Sequence, residues 1–210
     1  ACAPFRRLHL CDYNLESISN YDSNAKHKLL AEVCYAAKEE GDLIKTHYTP
    51  HEQTNRDTKS QICTVLARSF ADIGDIVRGR DLYLGYDYKE KDRRENLEKN
   101  LKEIFGKIHE DVTSGRNVEL QERYKDDPEF FKLREDWWTA NRHTVWEALT
   151  CDDRLRGYSY FHATCIDGNS KSQANNKCRC KDKNGKSETD QVPTYFDYVP
   201  QYLRWFEEWA

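Results

Sequence analysis

Apolar residues recur at helical spacing through the first part of the chain. A first helix is predicted from a cap at Asp22 or Ser23 to Gly41, followed by a polar linker over residues 46–57. A second helix, capped by Asp57 or Thr58, should run almost to Gly79. The apolar stripes of the two helices consist of Leu29, Leu30, Val33, Cys34 and Ala37, and of Ile62, Val65, Leu66, Phe70, Ile73, Ile76 and Val77.

The middle of the chain predicts two more long helices. After a turn-bearing connector over residues 79–88, one helix begins near Lys89 and stops at Thr113, and residues 118–124 add two turns. Asp127-Pro128 is expected to open the next helix, which ends near Cys151, because proline is favoured in a first helical turn. We expect a helix bundle that buries Ile62, Leu66, Phe70 and Ile73 with Leu97, Leu101 and Phe105.

The pattern changes after Cys151. Residues 152–191 are rich in Asn, Lys, Asp, Ser and Gly, show no helical period and predict a long loop. Helical spacing returns in the last segment with Tyr202, Trp205, Phe206 and Trp209. This pattern still continues at Ala210, so we expect the chain to be a fragment of a longer protein. Strand-like alternation is scarce, and the fold class predicted is mainly α with little or no β.

Composition narrows the classes of function. The chain has 210 residues, 33% of them charged, and 12% are aromatic, which is typical of a folded protein and not of a disordered one. The net charge of -4 provides no overall basic field for nucleic acid. No apolar run approaches the roughly 18 residues of a membrane span. We therefore expect neither a nucleic-acid partner nor direct membrane insertion of this fragment.

Eight cysteines suggest disulfides and an oxidising compartment, with reduced core thiols as the alternative. Cys34 and Cys63 lie on or beside the apolar stripes of the first two helices. If these helices pack antiparallel, the two can form a bridge; otherwise they are buried free thiols. The disulfide candidates are Cys2, Cys11, Cys34, Cys63, Cys151, Cys165, Cys178 and Cys180.

Catalytic motifs are not evident. A metalloprotease helix needs a second histidine four residues after the first, whereas His51 is followed by Asn55 and His109 by Thr113. The sequence also has no Gly-X-Ser-X-Gly elbow and no phosphate-binding glycine loop. We expect no enzymatic activity, no catalytic residue and no cofactor.

A zinc site is one interpretation of His162, Cys165, Cys178 and Cys180, because four soft ligands at short spacing suit tetrahedral zinc. The other interpretation places the three cysteines in disulfides and leaves His162 as an incidental surface residue. We favour disulfides and expect no bound metal.

Positive charge is concentrated between residues 171 and 186. Only one acid, Asp182, lies there among six cations, and such a loop can hold an anionic glycan or simply be a solubilising loop. The six cations are Lys171, Lys177, Arg179, Lys181, Lys183 and Lys186.

Residues 89–94 are also basic. Directly after this stretch come the i,i+4 pairs Glu95–Lys99, Glu98–Lys102 and Glu103–Lys107. They favour a solvated helix face over a sulfate-binding patch. The five tryptophans, at helical spacing, are expected in the core or at a seam between subdomains. They are Trp137, Trp138, Trp146, Trp205 and Trp209.

Four strings carry a resemblance to a known family. They are residues 67–83 (ARSFADIGDIVRGRDLY), 192–210 (VPTYFDYVPQYLRWFEEWA), 2–12 (CAPFRRLHLCD) and 133–142 (LREDWWTANR) followed by Val145-Trp146. In their order along the chain they resemble the Duffy-binding-like domain of the alpha class, found in the erythrocyte membrane protein 1 adhesins of malaria parasites. The resemblance covers nearly the whole chain.

The resemblance implies a Duffy-binding-like helical bundle with long disulfide-stapled loops. It implies the end of a first subdomain at residues 1–22, a second helical subdomain at 23–150 and the start of a third at 151–210. It also implies that some of Cys151, Cys165, Cys178 and Cys180 have partners outside the fragment. Because family members differ in receptor while sharing these strings, the strings are expected to be scaffold.

The function implied is adhesion on the extracellular face of the infected erythrocyte membrane, as part of a larger membrane-anchored protein. The partners implied are a host cell-surface receptor or sulfated glycan and the adjacent cysteine-rich interdomain region. Cytoadhesion or rosetting, virulence and antigenic variation are the roles expected. Two alternatives remain at this point: an intracellular zinc-binding helical protein, and a helical scaffold domain with no ligand of its own.

Overall fold

The structure, a computed structural model, describes residues 2–18, 24–54, 61–115, 118–167, 170–181 and 190–210. It confirms a mainly α-helical fold. The α-helices are α1 (Phe5–Leu8), α2 (Tyr13–Glu16), α3 (Ala25–Thr54), α4 (Gln61–Arg78), α5 (Tyr88–Thr113), α6 (Val118–Arg123), α7 (Phe131–Leu149) and α8 (Gln201–Trp209). Two short antiparallel strands, β1 (Cys165–Asp167) and β2 (Ser170–Ser172), pair Cys165 with Ser172.

Helix α4 lies at the centre of the bundle. Fourteen of its 18 residues are buried, and it contacts α1, α3, α7 and α8, because apolar or small residues occupy most of its circumference. The predicted core is confirmed. Ile62, Leu66, Phe70 and Ile73 of α4 and Leu97, Leu101 and Phe105 of α5 are all at most 4% exposed.

The prediction that the first helix ends at Gly41 is wrong, since α3 continues to Thr54 and includes residues 46–54 of the supposed linker. Gly41 is needed for packing. A Cβ atom at this position would lie 2.0 Å from the carbonyl oxygen of Leu149, so only glycine allows α3 and α7 to approach this closely. The predicted caps at Asp22, Ser23, Asp57 and Thr58 lie outside the described residues.

Helix α7 begins three residues after the predicted proline. Phe130 adopts a left-handed conformation with a φ of 58°, which interrupts the turn that Asp127-Pro128 was expected to start. Asp127 lies before the helix but still stabilises its first turn. Its carboxylate oxygens accept hydrogen bonds from the backbone N–H groups of Phe131 and Lys132 at 3.0 and 2.8 Å.

The disulfides join Cys63 to Cys178 and Cys165 to Cys180, so the predicted Cys34–Cys63 bridge is wrong. Helices α3 and α4 are indeed antiparallel, with Ser69 donating to Glu40 at 2.6 Å. However, Cys34 lies six residues before Glu40 on α3, and Cys63 lies six residues before Ser69 on α4. In antiparallel helices this places Cys34 and Cys63 about 18 Å apart along the axis.

The described residues of the long loop after α7 fold onto the bundle, and their regular structure is limited to the two strands and to 3₁₀ turns at Asp153–Leu155 and Phe196–Tyr198. Leu155, Tyr158 and Tyr160 are buried, and Trp146 donates from its indole nitrogen to the Cys178 carbonyl at 3.1 Å. Within the described ranges, no helix has both the length and the apolar character to cross a lipid bilayer.

Candidate functional site

A buried ionic cluster joins α4 to α8. Arg204 donates to Asp72 at 2.7 Å and to Asp75 at 2.6 Å, and Gln201 donates to Asp72 at 3.1 Å. Arg6 of α1 reaches the second Asp72 oxygen at 2.7 Å. The two longest family-like strings, residues 67–83 and 192–210, therefore meet in the interior.

The pKa values of Asp72 and Asp75 are shifted in opposite directions in this cluster. Burial raises the pKa of Asp72, but Arg6 and Arg204 outweigh it and hold the pKa below its usual value. At Asp75 burial outweighs Arg204 and Arg78, and the pKa is raised. A buried network in which each charge has several partners fixes the packing of α4 against α8. It leaves few polar atoms of these side chains available to bind a ligand.

A second ionic cluster fixes α1, α2 and the residues before α5. Arg7 pairs with Asp81, and Arg94 pairs with Asp12 and Glu90. The Tyr83 ring lies beneath both guanidinium groups, 5.0 Å from that of Arg7 and 5.5 Å from that of Arg94. These contacts again use family-like residues as scaffold.

The tryptophans are largely structural, as expected. Trp137, Trp138, Trp146 and Trp205 are at most 4% exposed. Trp138 donates to the carboxylate of Asp197 at 2.9 Å, an acid that also accepts two hydrogen bonds from Arg142. Trp209 is 54% exposed and so does not lie in the core, but it contacts the start of the chain by donating to the Cys2 carbonyl.

The cysteine-rich loop does not assemble the zinc ligands. Cys165, Cys178 and Cys180 are in disulfides, and His162 is exposed. In the part of the chain that the structure describes, no group of three or more possible ligands is placed to hold a metal. Free thiols among the described residues are Cys2, Cys11, Cys34 and Cys151.

The positive residues of this loop fall into two groups. Lys177 donates to the Cys151 carbonyl at 3.0 Å and to Asp153 at 2.8 Å. Arg179 is buried and donates to the Thr150 hydroxyl at 2.7 Å. Both side chains fasten the loop to the end of α7, whereas Lys171 and Lys181 are exposed. Lys183 and Lys186 lie outside the described residues.

The basic stretch at the start of α5 is also used internally. Arg93 donates to Glu16 at 3.0 Å, and Arg94 is part of the cluster around Asp12. The predicted pair Glu98–Lys102 is not formed, because each residue has a partner outside α5. Arg134 donates to Glu98 at 2.6 Å, and Lys102 donates to Glu129 at 2.6 Å. This face of the helix is held by tertiary ion pairs.

A buried carboxylate beside a cavity was not predicted from the sequence. Glu40 of α3 is 3% exposed, accepts from the Ser69 hydroxyl at 2.6 Å and from the Cys11 N–H at 3.1 Å. Burial raises its pKa, and burial with the nearby Glu40 carboxylate raises the pKa of Cys11 to about 12. A cavity of about 520 Å³, with Ile44 and Val65 in its lining, adjoins Glu40. In the sequence Glu40 is one of many acids.

Four exposed apolar side chains between α4 and the start of α5 were also not predicted from the sequence. Leu82, Leu84, Tyr86 and Tyr88 are 54%, 67%, 78% and 89% exposed. Their alternate spacing in the chain was the available signal, but it does not reveal which side faces solvent.

Comparison with known proteins places these features in a family. A family model described as the Duffy binding domain matches residues 1–204. The Duffy receptor alpha form of Plasmodium knowlesi and the Duffy receptor of Plasmodium vivax are 24% and 23% identical to this chain over its whole length. The chain spans 15% of the length of each of these curated relatives.

Solved structures show greater similarity. The NTS-DBL1(alpha-1) domain of the Plasmodium falciparum membrane protein 1 (PfEMP1) from the varO strain is 41% identical over the whole of this chain, with a TM-score of 0.74. A DBLbeta domain of PfEMP1 bound to ICAM-1 is 33% identical over the whole chain, with a TM-score of 0.66. This chain covers 43% and 44% of those two chains.

The family model and the structural neighbours agree along almost the entire sequence, including the buried strings of α4 and α8. The resemblance noted from the sequence is thereby confirmed, and this chain belongs to the Duffy binding domain family.

Proposed function

We propose that this chain is part of an adhesion domain that binds a receptor on the host-cell surface and has no enzymatic activity. One observation carries the proposal: a DBLbeta domain of the same fold, 33% identical to this chain, is bound to ICAM-1 in its solved structure. The buried ionic clusters support it as well, because Arg6, Asp72 and Arg204 of the family-like strings serve in them as scaffold. The outer surface is then free to differ between members with different receptors.

We further propose that the whole protein is displayed on the extracellular face of the infected erythrocyte, where it acts in cytoadhesion or rosetting and varies antigenically. Two disulfides are consistent with an oxidising environment. A cysteine-rich interdomain region is the neighbouring partner proposed, since a solved PfEMP1 double domain that is 41% identical to this chain combines DBL1-alpha with CIDR-gamma. The division at residues 22 and 150 into subdomains remains part of this proposal.

Binding to intact host cells tests the adhesion function. Fluorescently labelled protein with its disulfides intact should bind saturably to human endothelial cells or erythrocytes, whereas the Leu66→Asp variant should not fold or bind. Leu66 is fully buried, and an unpaired buried carboxylate costs several kcal/mol. Failure of the wild-type protein to bind any of these cells would favour the scaffold alternative.

A sulfated glycan is a second candidate ligand, favoured by one feature of the cysteine-rich loop. Strand pairing aligns Ser172 with Cys165, and Cys165 is bonded to Cys180. Lys171 and Lys181 are each next to this junction and both are exposed, so we infer that these two cations lie near each other although they are ten residues apart in sequence. Concentrated positive charge on a stapled loop attracts anionic glycans at a low ordering cost.

Heparin chromatography with two pairs of substitutions tests this candidate. Lys171→Ser with Lys181→Ser should elute at clearly lower salt than wild type, because the contact is electrostatic. The same change at Lys89 and Lys91, which are also exposed, should have a smaller effect because acids are interleaved there. Equal shifts from both pairs would indicate diffuse charge attraction and contradict a site on the loop.

A further inference from the structure

The side of helix α8 that packs on α4 is largely polar. Arg204 is buried and pairs with Asp72 and Asp75, and Gln201 is buried beside it and donates to Asp72. Trp205 is the large apolar residue on this inner side. A surface helix usually turns its apolar stripe to the core and its polar face to solvent. Much of the polar surface of α8 is instead directed inward.

The opposite side of α8 is apolar and exposed. Tyr202, Phe206 and Trp209 are 52%, 68% and 54% exposed. Residues three and four positions apart lie on one face of an α-helix, so these three rings form a continuous row along α8. The row extends to α1, because the Phe5 ring centre is 5.9 Å from that of Trp209 and Phe5 is 70% exposed. We call these four side chains the α8 stripe.

The α8 stripe cannot turn inward without loss of the buried ion pairs. Glu208 accepts hydrogen bonds from Arg6 at 3.0 and 2.9 Å, and the Trp209 indole N–H donates to the Cys2 carbonyl at 2.9 Å. These contacts and the pairing of Arg204 with α4 fix the rotation of the helix about its axis. Contiguous exposed apolar groups mark interaction sites, and aromatic side chains contribute the largest area to them.

Two observations favour the rest of the same domain as the occupant of the α8 stripe. This chain covers 43% and 44% of the solved PfEMP1 chains described above, so more than half of each has no counterpart in these 210 residues. The α8 stripe also lies entirely within the family-like strings at residues 2–12 and 192–210, which are expected to be scaffold. A surface that selects a receptor is expected outside those strings, where members differ.

The shape and charge of the α8 stripe indicate what kind of segment covers it. A row of side chains four residues apart on one helix packs into the groove between such rows on a second helix. The acids beside the row already have partners, since Glu207 pairs with Arg68 at 2.6 Å and Glu208 pairs with Arg6. The covering segment therefore needs an apolar face and no compensating cations.

We propose that the α8 stripe is an internal interface, covered by the apolar face of a helix from the part of the domain that lies outside these 210 residues. Helix α8 is then a central element, with the ionic cluster of α4 on one side and an apolar contact on the other. This inference does not depend on the adhesion function proposed above.

The test measures amide hydrogen exchange of residues 201–209 in the whole protein and in this chain alone. Each is made as wild type, as Tyr202→Ala with Phe206→Ala, and as a control pair, Tyr35→Ala with Tyr88→Ala. Tyr35 of α3 and Tyr88 of α5 are 55% and 89% exposed, so the control also removes two exposed rings. Circular dichroism establishes that each form folds.

In the whole protein the stripe pair should speed exchange in α8 by roughly tenfold or more, because local opening becomes easier when buried contacts are lost. In this chain alone the same pair should change exchange by less than about twofold, since the rings are exposed and alanine favours helix. The control pair should leave α8 unchanged in both proteins.

Unchanged α8 exchange in the whole protein overturns the inference, and that comparison is decisive by itself. If the stripe pair then also weakens binding to endothelial cells or erythrocytes, the occupant is a host-cell protein. If the whole protein sediments as a dimer that the stripe pair converts to a monomer, the occupant is a second copy, which likewise overturns an internal interface.

Discussion

At the scale of single residues, Glu40 is a carboxylate that the sequence does not mark as buried, yet it is 3% exposed in the fold. Its hydrogen-bond donors are the Ser69 hydroxyl and the Cys11 N–H, both neutral, and burial is the largest influence on its pKa, which is raised. The folded protein therefore binds the Glu40 proton more tightly than the unfolded chain does. It follows that ionisation of Glu40 lowers stability as pH rises from the ordinary pKa through the raised one.

Replacing Glu40 with Gln should remove this pH dependence while keeping both hydrogen bonds possible. The unfolding free energy of Glu40→Gln minus that of wild type should increase as pH rises from about 4 to about 7. Urea unfolding at a series of pH values measures it, with Glu39→Gln as the control because Glu39 is the exposed neighbour. A difference that stays constant across this range would contradict the assignment.

At the scale of elements, glycines inside helices have different roles that the sequence does not distinguish. Gly41 of α3 lies against the Leu149 carbonyl of α7, and Gly74 of α4 lies against the Trp138 ring, 2.7 Å from the position of an added Cβ. Gly106 of α5 has nothing closer than the Phe130 ring at 3.7 Å. The first two set how closely helices approach, whereas Gly106 only weakens its own helix.

Alanine substitutions should therefore have opposite effects at two of these positions. Gly41→Ala should destabilise the protein by about 1–3 kcal/mol through overpacking against α7. Gly106→Ala should be neutral or stabilise it by up to about 1 kcal/mol, because alanine is the better helix former. Chemical denaturation compares the two, and a neutral Gly41→Ala would mean that α3 and α7 do not pack as described.

At the scale of the whole molecule, the two disulfides constrain the chain very differently. Cys63–Cys178 joins residues 115 positions apart and links α4 to the cysteine-rich loop, whereas Cys165–Cys180 spans 15 positions within that loop. Loop-closure entropy in the unfolded chain predicts about 4.7 kcal/mol of stabilisation for a loop of some 100 residues and about 3 for one of 15.

Removing each bridge with paired alanines tests this difference. Cys63→Ala with Cys178→Ala should lower the unfolding free energy by about 1–2 kcal/mol more than Cys165→Ala with Cys180→Ala. Only the second pair should lower the salt of heparin elution, since that bridge joins Lys181 to the strand of Lys171. The opposite order of stability would show that the long bridge closes contacts already present in the unfolded chain.

Much of the helical framework followed from the sequence alone, because apolar stripes at helical spacing must be buried. Helices α4 and α5 and the core around Leu66 and Phe105 were predicted in this way, whereas the family was predicted from the resemblance of four sequence strings. Gly41, the partners of Cys63 and the roles of Lys177 and Arg179 were not. A glycine can end a helix or admit a neighbour, a thiol can bond any thiol within reach, and a cation in a basic loop can face solvent or fasten the loop. In each case the choice depends on which distant element packs against the residue, and only the tertiary structure decides that.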